Sequence, residues 1–241
     1  MQNAGYVALS RQMVLGNQLA VTANNIANLD TVGFKRQGLL FGEHLAQAQN
    51  GESASYVTEV GTVRDLSQGP LRTTDRQLDL ALSGEGYFTV ETPGGLRYSR
   101  NGLFQISADG ELVTRDGHQL LDADGQRIPI PPNAKEIKVQ KDGQFIIDGQ
   151  QTAKIEILSF DNPQALLHTA NGLYRASVPG IPAEETFVVQ GMLEESNVNA
   201  VSELVYMLGI QQNYQASNKM LTGEHDRLTR AIREIGRVEP S

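Results

Sequence analysis

Apolar residues recur at helical spacing near the start of the chain. Residues 4–29 contain no proline, and their apolar or small positions alternate steps of three and four. That spacing is close to a heptad and predicts an amphipathic helix. The first row of such positions is Tyr6, Leu9, Met13, Gly16, Ala20, Ala23 and Ala27, and a neighbouring row is Ala8, Leu15, Leu19 and Ile26. A single helix cannot bury both rows.

The end of the chain has the same periodicity. Proline is absent from about residue 197 to 236, which predicts one helix of up to about forty residues. One apolar or small stripe contains Met207, Ile210, Tyr214, Ser217, Leu221, Leu228 and Ile235. A second stripe, near the start of this helix, contains Val198, Val201, Val205 and Leu208. Arginines near its end, at positions 227, 230 and 233, suit the negative pole of the helix dipole.

Between the helices, short runs of Val, Ile, Leu and Phe alternate with turn signals. Asp-Gly pairs occur at 109–110, 116–117, 124–125, 142–143 and 148–149. Such pairs are typical of type I′ hairpin turns, which need positive φ at both central residues, so they predict successive hairpins. Strands are predicted at Tyr87–Glu91, Glu111–Thr114, Ile137–Gln140, Gln144–Ile147, Lys154–Phe160 and Phe187–Val189.

These patterns predict an α+β fold. Residues 1–35 and 191–241 are assigned to a domain in which the N- and C-terminal helices form a coiled coil, and residues 75–190 to a mostly antiparallel β domain. The polar segment 36–74 is assigned to an extended connector. The helices could form an ordinary intramolecular pair or a coiled coil that polymerises with neighbouring chains.

Charge and composition narrow the classes of partner. The chain has 28 acidic and 20 basic residues, and its formal charge of -8 disfavours binding to the phosphate backbones of nucleic acids. No nucleic acid partner is therefore expected. No segment reaches the roughly 18 apolar residues of a membrane span, and the start lacks the pattern of a cleaved secretory signal. The absence of cysteine removes disulfides and thiolate chemistry.

No motif in the sequence indicates catalysis, a cofactor or a metal. Gly84 to Gly86 begins like a dinucleotide loop, but Thr89 replaces the third glycine, so a strand-entry turn is the better interpretation. Residues 122–125 have the wrong spacing for a calcium loop and read as a hairpin turn. The histidines stand far apart, at His44, His118, His168 and His225. The chain is therefore interpreted as a non-enzyme.

Several longer strings resemble a known family. Residues 23–35 read ANNIANLDTVGFK, which is similar to the signature of flagellar rod and hook proteins. Further strings resemble that family in the expected order: QGPLRTT at 68–74, LDLALSGEGYF at 78–88, YSRNGLF at 98–104 and ESNVN at 195–199. Within the family, the opening residues 3–13 resemble the proximal-rod branch more than the distal-rod branch, which is kept as the alternative.

The resemblance implies a structural subunit of the rod that crosses the periplasm in the flagellar basal body. It implies terminal helices lining a hollow rod, with the β domain outside them. Its implied partners are other copies of the chain, other proximal and distal rod subunits, and the flagellar type III export apparatus, which would deliver the chain unfolded and without signal cleavage. A secreted β-rich binding module that stays monomeric is the less favoured alternative.

The predicted assembly residues lie on both helices. Asn24, Asn25 and Asn28 are predicted either to fix register through paired amides or to cap the first helix. The apolar assembly residues are predicted to be Tyr6, Leu9, Met13, Leu15, Leu19, Ile26, Val201, Leu204, Leu208, Ile210, Tyr214 and Leu221.

Overall fold

The computed structural model describes the backbone of residues 2–47 and 53–235. Side chains are described over residues 9–42, 61–169, 171–223 and 225–233. The side chain of Tyr6, a predicted assembly residue, therefore lies outside the described residues, as does that of His44. None of the helices in the described ranges has the length and apolar character needed to cross a bilayer.

Two long helices occupy the positions that the periodicity predicts. Helix α1 spans Gln2–Ala27 and helix α2 spans Ala200–Ile235. The side chain of Asn199 accepts a hydrogen bond from the backbone N–H of Ser202 at 3.0 Å, so it caps the start of α2. Gly33 has a positive φ of 70° and lies in a turn six residues beyond α1, so it does not cap this helix.

Short strands fill most of the chain between the helices. In order they are β1 (Gln37–Gln47), β2 (Ser53–Arg64), β3 (Leu71–Thr73), β4 (Leu80–Ser83), β5 (Tyr87–Thr92), β6 (Gly95–Ser99), β7 (Phe104–Ile106), β8 (Leu112–Thr114), β9 (Gln119–Leu120), β10 (Ile137–Val139), β11 (Gln144–Ile147), β12 (Gln150–Lys154), β13 (Ile157–Ser159), β14 (Leu167–His168), β15 (Leu173–Arg175), β16 (Ile181–Pro182), β17 (Phe187–Gln190) and β18 (Met192–Glu194). A 3-10 turn at Pro163–Ala165 lies where a short helical stretch is expected.

Two compact units make up the chain. The first contains α1, α2 and residues 37–63, in which β1 pairs with β2. The second contains residues 28–36 and 64–198. The connector predicted at 36–74 therefore contains paired strands. Leu39, Leu40, Phe41 and Val63 supply β-forming side chains in these strands.

The second unit is an antiparallel β structure. Its largest sheet has the order β14-β15-β6-β5-β9-β8-β7, and β13 pairs with both β5 and β16. A three-stranded sheet has the order β10-β11-β12, and β4 and β3 pair with β17 and β18. Aliphatic side chains and three phenylalanines, Phe88, Phe104 and Phe145, form the main core. Phe88 and Phe104 meet edge to face with ring centroids 5.2 Å apart.

The Asp-Gly pairs form turns of two kinds. At Asp148 and Gly149 both residues have positive φ, and the two-residue turn joins Ile147 to its partner Gln150, as a type I′ turn does. In the other four pairs only the glycine has positive φ, and its N–H bonds back to the third residue before it. The type I′ prediction is wrong there, because a type I turn followed by a left-handed glycine also suits the strand twist.

Candidate assembly surface and buried ion cluster

Helices α1 and α2 pack antiparallel. The amide of Gln12 donates hydrogen bonds to Tyr214 at 3.1 Å and to Asn218 at 2.7 Å. Farther along α1, the amide of Asn25 donates to Glu203 at 3.3 Å. Positions near the start of α1 therefore contact the middle of α2, and positions near the end of α1 contact the start of α2. The terminal helices form a pair within one chain.

The face that each helix turns towards its partner mixes polar and apolar side chains. Leu15 and Ile210 are the apolar side chains fully buried there. Thr22, Asn25, Glu203 and Ser217 are buried as well, with Asn25 and Glu203 each 1% exposed. On α2 the inward positions alternate steps of four and three: Glu203, Met207, Ile210, Tyr214, Ser217 and Leu221. Met207, Tyr214 and Leu221 are half-buried and Ile210 is fully buried, so apolar packing and buried polar contacts both contribute to this helix pair.

Asn25 ties three segments of the first unit together. Its side-chain oxygen accepts the backbone N–H of Gln37 at 2.9 Å, and its amide donates to the carbonyl of Gln37 at 2.8 Å. The same amide reaches Glu203 on α2. Asn25 therefore fixes the start of β1 against both helices, and its side chain is used within its own chain.

Large apolar side chains lie on the opposite, outward face. On α2 they follow the spacing i, i+3, i+4, i+7, which places them on one side of the helix. Their exposed fractions are 71% for Val201, 51% for Leu204, 64% for Val205 and 58% for Leu208. On α1, Leu9 and Met13 are exposed at i and i+4 by 50% and 66%. We call these six residues the outer stripe.

The predicted assembly residues divide between the two faces. Those in the outer stripe are Leu9, Met13, Val201, Leu204 and Leu208. Those buried inside the helix pair are Leu15, Asn25 and Ile210. Those half-buried are Leu19, Ile26, Asn28, Tyr214 and Leu221, whereas Asn24 is exposed. From Leu9 onward, the first row of α1 faces outward, while Leu15, Leu19 and Ile26 of the second row are covered to differing degrees.

In the second unit, the family-like strings meet at one buried ion cluster. The Nζ of Lys35 lies 2.5 Å from Oε1 of Glu194, and Nη1 of Arg100 lies 3.2 Å from Oε2 of the same carboxylate. All three side chains are at least nine-tenths buried. The backbone N–H of Gly69 also donates to Glu194, at 3.1 Å. Segments from four distant parts of the sequence are thereby held together.

Burial governs the electrostatics of this cluster. It lowers the pKa of Lys35, because the charged ammonium loses its hydration, while the carboxylate of Glu194 opposes the change. Lys35 also donates to the carbonyl of Ser67 at 2.8 Å, and Arg100 to that of Gly84 at 2.7 Å. These bonds compensate part of the cost of burying the charges. The cluster therefore has a structural role, because its ion pairs and hydrogen bonds connect separate segments of the second unit.

Two glycines of these strings permit close approaches of backbone to backbone. A Cβ placed on Gly69 would collide with the carbonyl oxygen of Glu195, and one on Gly102 with the carbonyl oxygen of Leu80. A larger residue at either position would force the strands apart. These contacts explain why glycine occupies the strings QGPLRTT and YSRNGLF at those points.

Sequence reasoning missed the ion cluster. Lys35 and Arg100 belong to family-like strings, and Glu194 directly precedes another, so charged residues of opposite sign stand in or beside these strings. That signal could have suggested a shared partner. The pairing itself depends on contacts between residues 94 and 159 positions apart, which local patterns do not specify.

The histidines and acidic pairs do not form a chemical site among the described residues. No group of three or more metal-ligating side chains occurs there. His168 packs against Tyr174 with ring centroids 5.5 Å apart, and burial lowers its pKa, with Arg64 adding to the effect. The backbone conformations of Gly84 and Gly86, with φ of 117° and 154°, agree with a strand-entry turn before β5.

Three models of flagellar protein families match parts of the chain. Residues 6–35 match the flagella basal body rod protein family. Residues 81–147 match the D1 domain of the flagellar hook protein FlgE/F/G, and residues 189–234 match the C-terminal region of the flagellar basal body rod FlgEFG protein. The matches include both helices and much of the β structure.

Curated proteins are similar over nearly the whole length. The flagellar basal-body rod protein FlgF of Caulobacter vibrioides is 35% identical, covering 99% of this chain and 100% of the relative. FlgF of Rhizobium meliloti is 34% identical, covering 98% and 99%. The flagellar basal-body rod protein FlgG of Bacillus subtilis is 32% identical, covering 90% and 93%.

Proposed function

The chain belongs to the family of flagellar basal-body rod proteins, and from that premise we propose that it assembles through the outer stripe of its terminal helices. It is a structural subunit of the basal-body rod, in a family that is not an enzyme family. The FlgF relatives match this chain better than the FlgG relatives do, since their alignments cover more of the chain at similar identity.

The observation that carries the assembly proposal is the row of large aliphatic side chains that the helix pair leaves exposed on α2. Glu203 is 1% exposed, while its neighbour Leu204 is 51% exposed and Val201 is 71% exposed. Burying one Leu or Val side chain contributes about 1.5–3 kcal/mol. A helix pair that leaves its larger aliphatic residues outside becomes more stable when a neighbouring subunit covers them.

The partner that fits this surface is another amphipathic helix. Residues at i, i+3, i+4 and i+7 match the anchors by which one helix packs into the groove of another. We propose that neighbouring rod subunits supply those helices: other copies of this chain, FlgG in the distal rod and the more proximal rod proteins. The resulting coiled coils would line a hollow shaft, with the β structure outside.

Delivery and location complete the proposal. The rod would cross the periplasm, and the chain would reach it through the flagellar type III export apparatus, unfolded and without signal cleavage. Folding at the growing tip would then be coupled to subunit contact, because a disordered segment gains its buried surface only on binding. Coupling of this kind would keep subunits from associating before they arrive.

Thiol protection tests the outer stripe directly. The chain has no cysteine, so a single substitution such as Leu208→Cys places one reactive thiol in the protein. We expect a maleimide reagent to label this thiol in isolated subunits and to label it much less in purified rods. Leu96→Cys is the matched control, because Leu96 is an equally exposed leucine in the β structure, at 50%. Equal labelling of position 208 in both states would contradict the proposal.

A further inference from the structure

A small cavity adjoins the buried ion cluster. Its volume is about 40 Å³, and it lies wholly within the second unit. The side chains of Lys35, Arg100, Tyr87 and Phe160 line it, together with Leu66, Glu85, Gly86, Ser159 and Pro163. A cavity of this size holds a water molecule or a single small ion, since one water needs about 10–15 Å³.

Positive charge is in excess at this cavity. Lys35 and Arg100 are both buried, and they share one buried carboxylate, that of Glu194. The charge of Arg64, which is 8% exposed, also acts on Tyr87 at the cavity wall. The other acidic residues close to the cluster, Asp65 and Glu85, are exposed to solvent. A buried positive charge without a counterion is costly.

Hydrogen-bond donors are also left over. Oε1 of Glu194 already accepts from Lys35 and Gly69, and its Oε2 accepts from Arg100. The Nε of Arg100 is buried and has no hydrogen-bond partner among the described residues. An ammonium has three donors, and Lys35 uses two of them, on Glu194 and Ser67. Lys35 and Arg100, the two cations with unused donors, both line this small cavity.

We propose that this cavity binds one small monovalent anion of halide size. The anion accepts from Nε of Arg100 and from the remaining donor of Lys35, and it neutralises the excess charge of the cluster. The carboxylate of Glu85, an exposed lining residue, disfavours anions of higher charge, and the small volume disfavours larger anions. Bound halide thereby stabilises the joint between the signature segment and the β structure. This proposal is independent of the assembly proposal.

Thermal unfolding of the full chain tests the anion site. The melting temperature is measured as sodium chloride replaces sodium gluconate at constant ionic strength. Because an anion that binds only the folded state raises its stability, we expect the melting temperature to rise and then saturate in chloride, and in bromide as well. Equal melting temperatures in chloride and gluconate would overturn the proposal.

Two further measurements separate site binding from a general salt effect. Lys35→Met removes the excess charge and should abolish the chloride dependence, whereas Arg127→Gln, at an exposed surface pair, should retain it. Should Lys35→Met fail to fold, crystals of the unaltered protein grown in bromide decide the matter. An anomalous peak within hydrogen-bonding distance of Arg100 Nε supports the site. A cavity that holds only water in those crystals refutes it.

Discussion

Asn25 and Glu203 meet inside the helix pair, with the amide nitrogen of one 3.3 Å from the carboxylate of the other, although 178 residues separate them in sequence. Both side chains are 1% exposed. The contact joins α1 to α2 at the end where β1 begins. Its polar character shows that the helix pair is specified there by hydrogen bonds more than by apolar packing.

Replacing Asn25 by leucine should therefore destabilise the single subunit. The change removes one hydrogen bond to Glu203 and the side-chain bonds to both backbone groups of Gln37. Each buried polar group left unsatisfied costs about 1–3 kcal/mol. We expect a lower melting temperature, measured by circular dichroism. Asn24→Leu is the control, because Asn24 is exposed and precedes it directly. Equal melting temperatures for the two variants would show that Asn25 does not hold the helices.

The buried ion cluster gives a second prediction. Glu194→Gln leaves Lys35 and Arg100 without their carboxylate, and breaking a buried ion pair in this way costs about 3–5 kcal/mol. We expect the midpoint of urea unfolding to fall strongly. Glu195→Gln is a matched control, since Glu195 pairs with Arg72 on the surface, where such pairs contribute about 0–1 kcal/mol. Similar losses in both variants would refute the structural role of the cluster.

Deprotonation of buried tyrosines should lower the stability of the fold at alkaline pH. Burial raises the pKa of Tyr174 to about 12 from an ordinary value of 10.0, with the neighbouring Tyr87 adding to the shift. Between these values the unfolded chain has lost the phenolic proton while the folded chain keeps it, so folding stability falls as pH rises. Lys35 acts in the opposite sense, because its pKa is lowered from 10.5 in the folded chain. Below pH 10.5 the unfolded chain therefore holds this proton more tightly, and folding stability rises with pH.

Tyr174→Phe isolates the tyrosine contribution. We expect this variant to lose less stability between pH 10 and pH 12, by up to about 3 kcal/mol, in urea unfolding followed across that range. Tyr206→Phe removes an exposed phenol on α2, so it should follow the unaltered protein. A Tyr174→Phe curve parallel to that of the unaltered protein would contradict the assignment.

Trimming the chain tests the coupling of folding to assembly. A shortened protein of residues 28–198 keeps the ion cluster and the β structure but lacks both helices. We expect sedimentation to show self-association of the full-length protein and none of the shortened one. Circular dichroism should show that the isolated full-length monomer has less helix than the assembled form. A full-length monomer that is fully helical and never associates would favour a self-contained module.

The sequence predicted the elements whose signals are local. Period-3.6 patterns located α1 and α2 to within a few residues, and strand β11 has its predicted bounds because alternation and a flanking Asp-Gly turn mark both ends. Most of the other strands were missed, for example β3, β4 and β6. Each is short, and β4 is apolar on both faces, so it lacks the alternation that identifies a half-buried strand.

The sites depended on information that periodicity does not carry. Two apolar rows on each helix were visible, but the sequence could not tell which row faces inward, since Asn25 and Glu203 occupy inward positions where apolar residues are expected. The contacts of Asn25 are inside the chain, and a register role between subunits stays a prediction. The ion cluster likewise needed the fold, because its members come from segments far apart in sequence.

Leu208→Glu tests the central claim most directly, by the occupancy of the variant in purified basal bodies. Placing a carboxylate in an apolar contact adds a desolvation cost to the loss of about 2–5 kcal/mol expected for a truncated buried leucine. Because Leu208 is 58% exposed in the single chain, its replacement should leave the subunit folded. We predict that Leu208→Glu is absent from rods while the control Leu96→Glu is incorporated. Normal occupancy of Leu208→Glu would contradict assembly through the outer stripe.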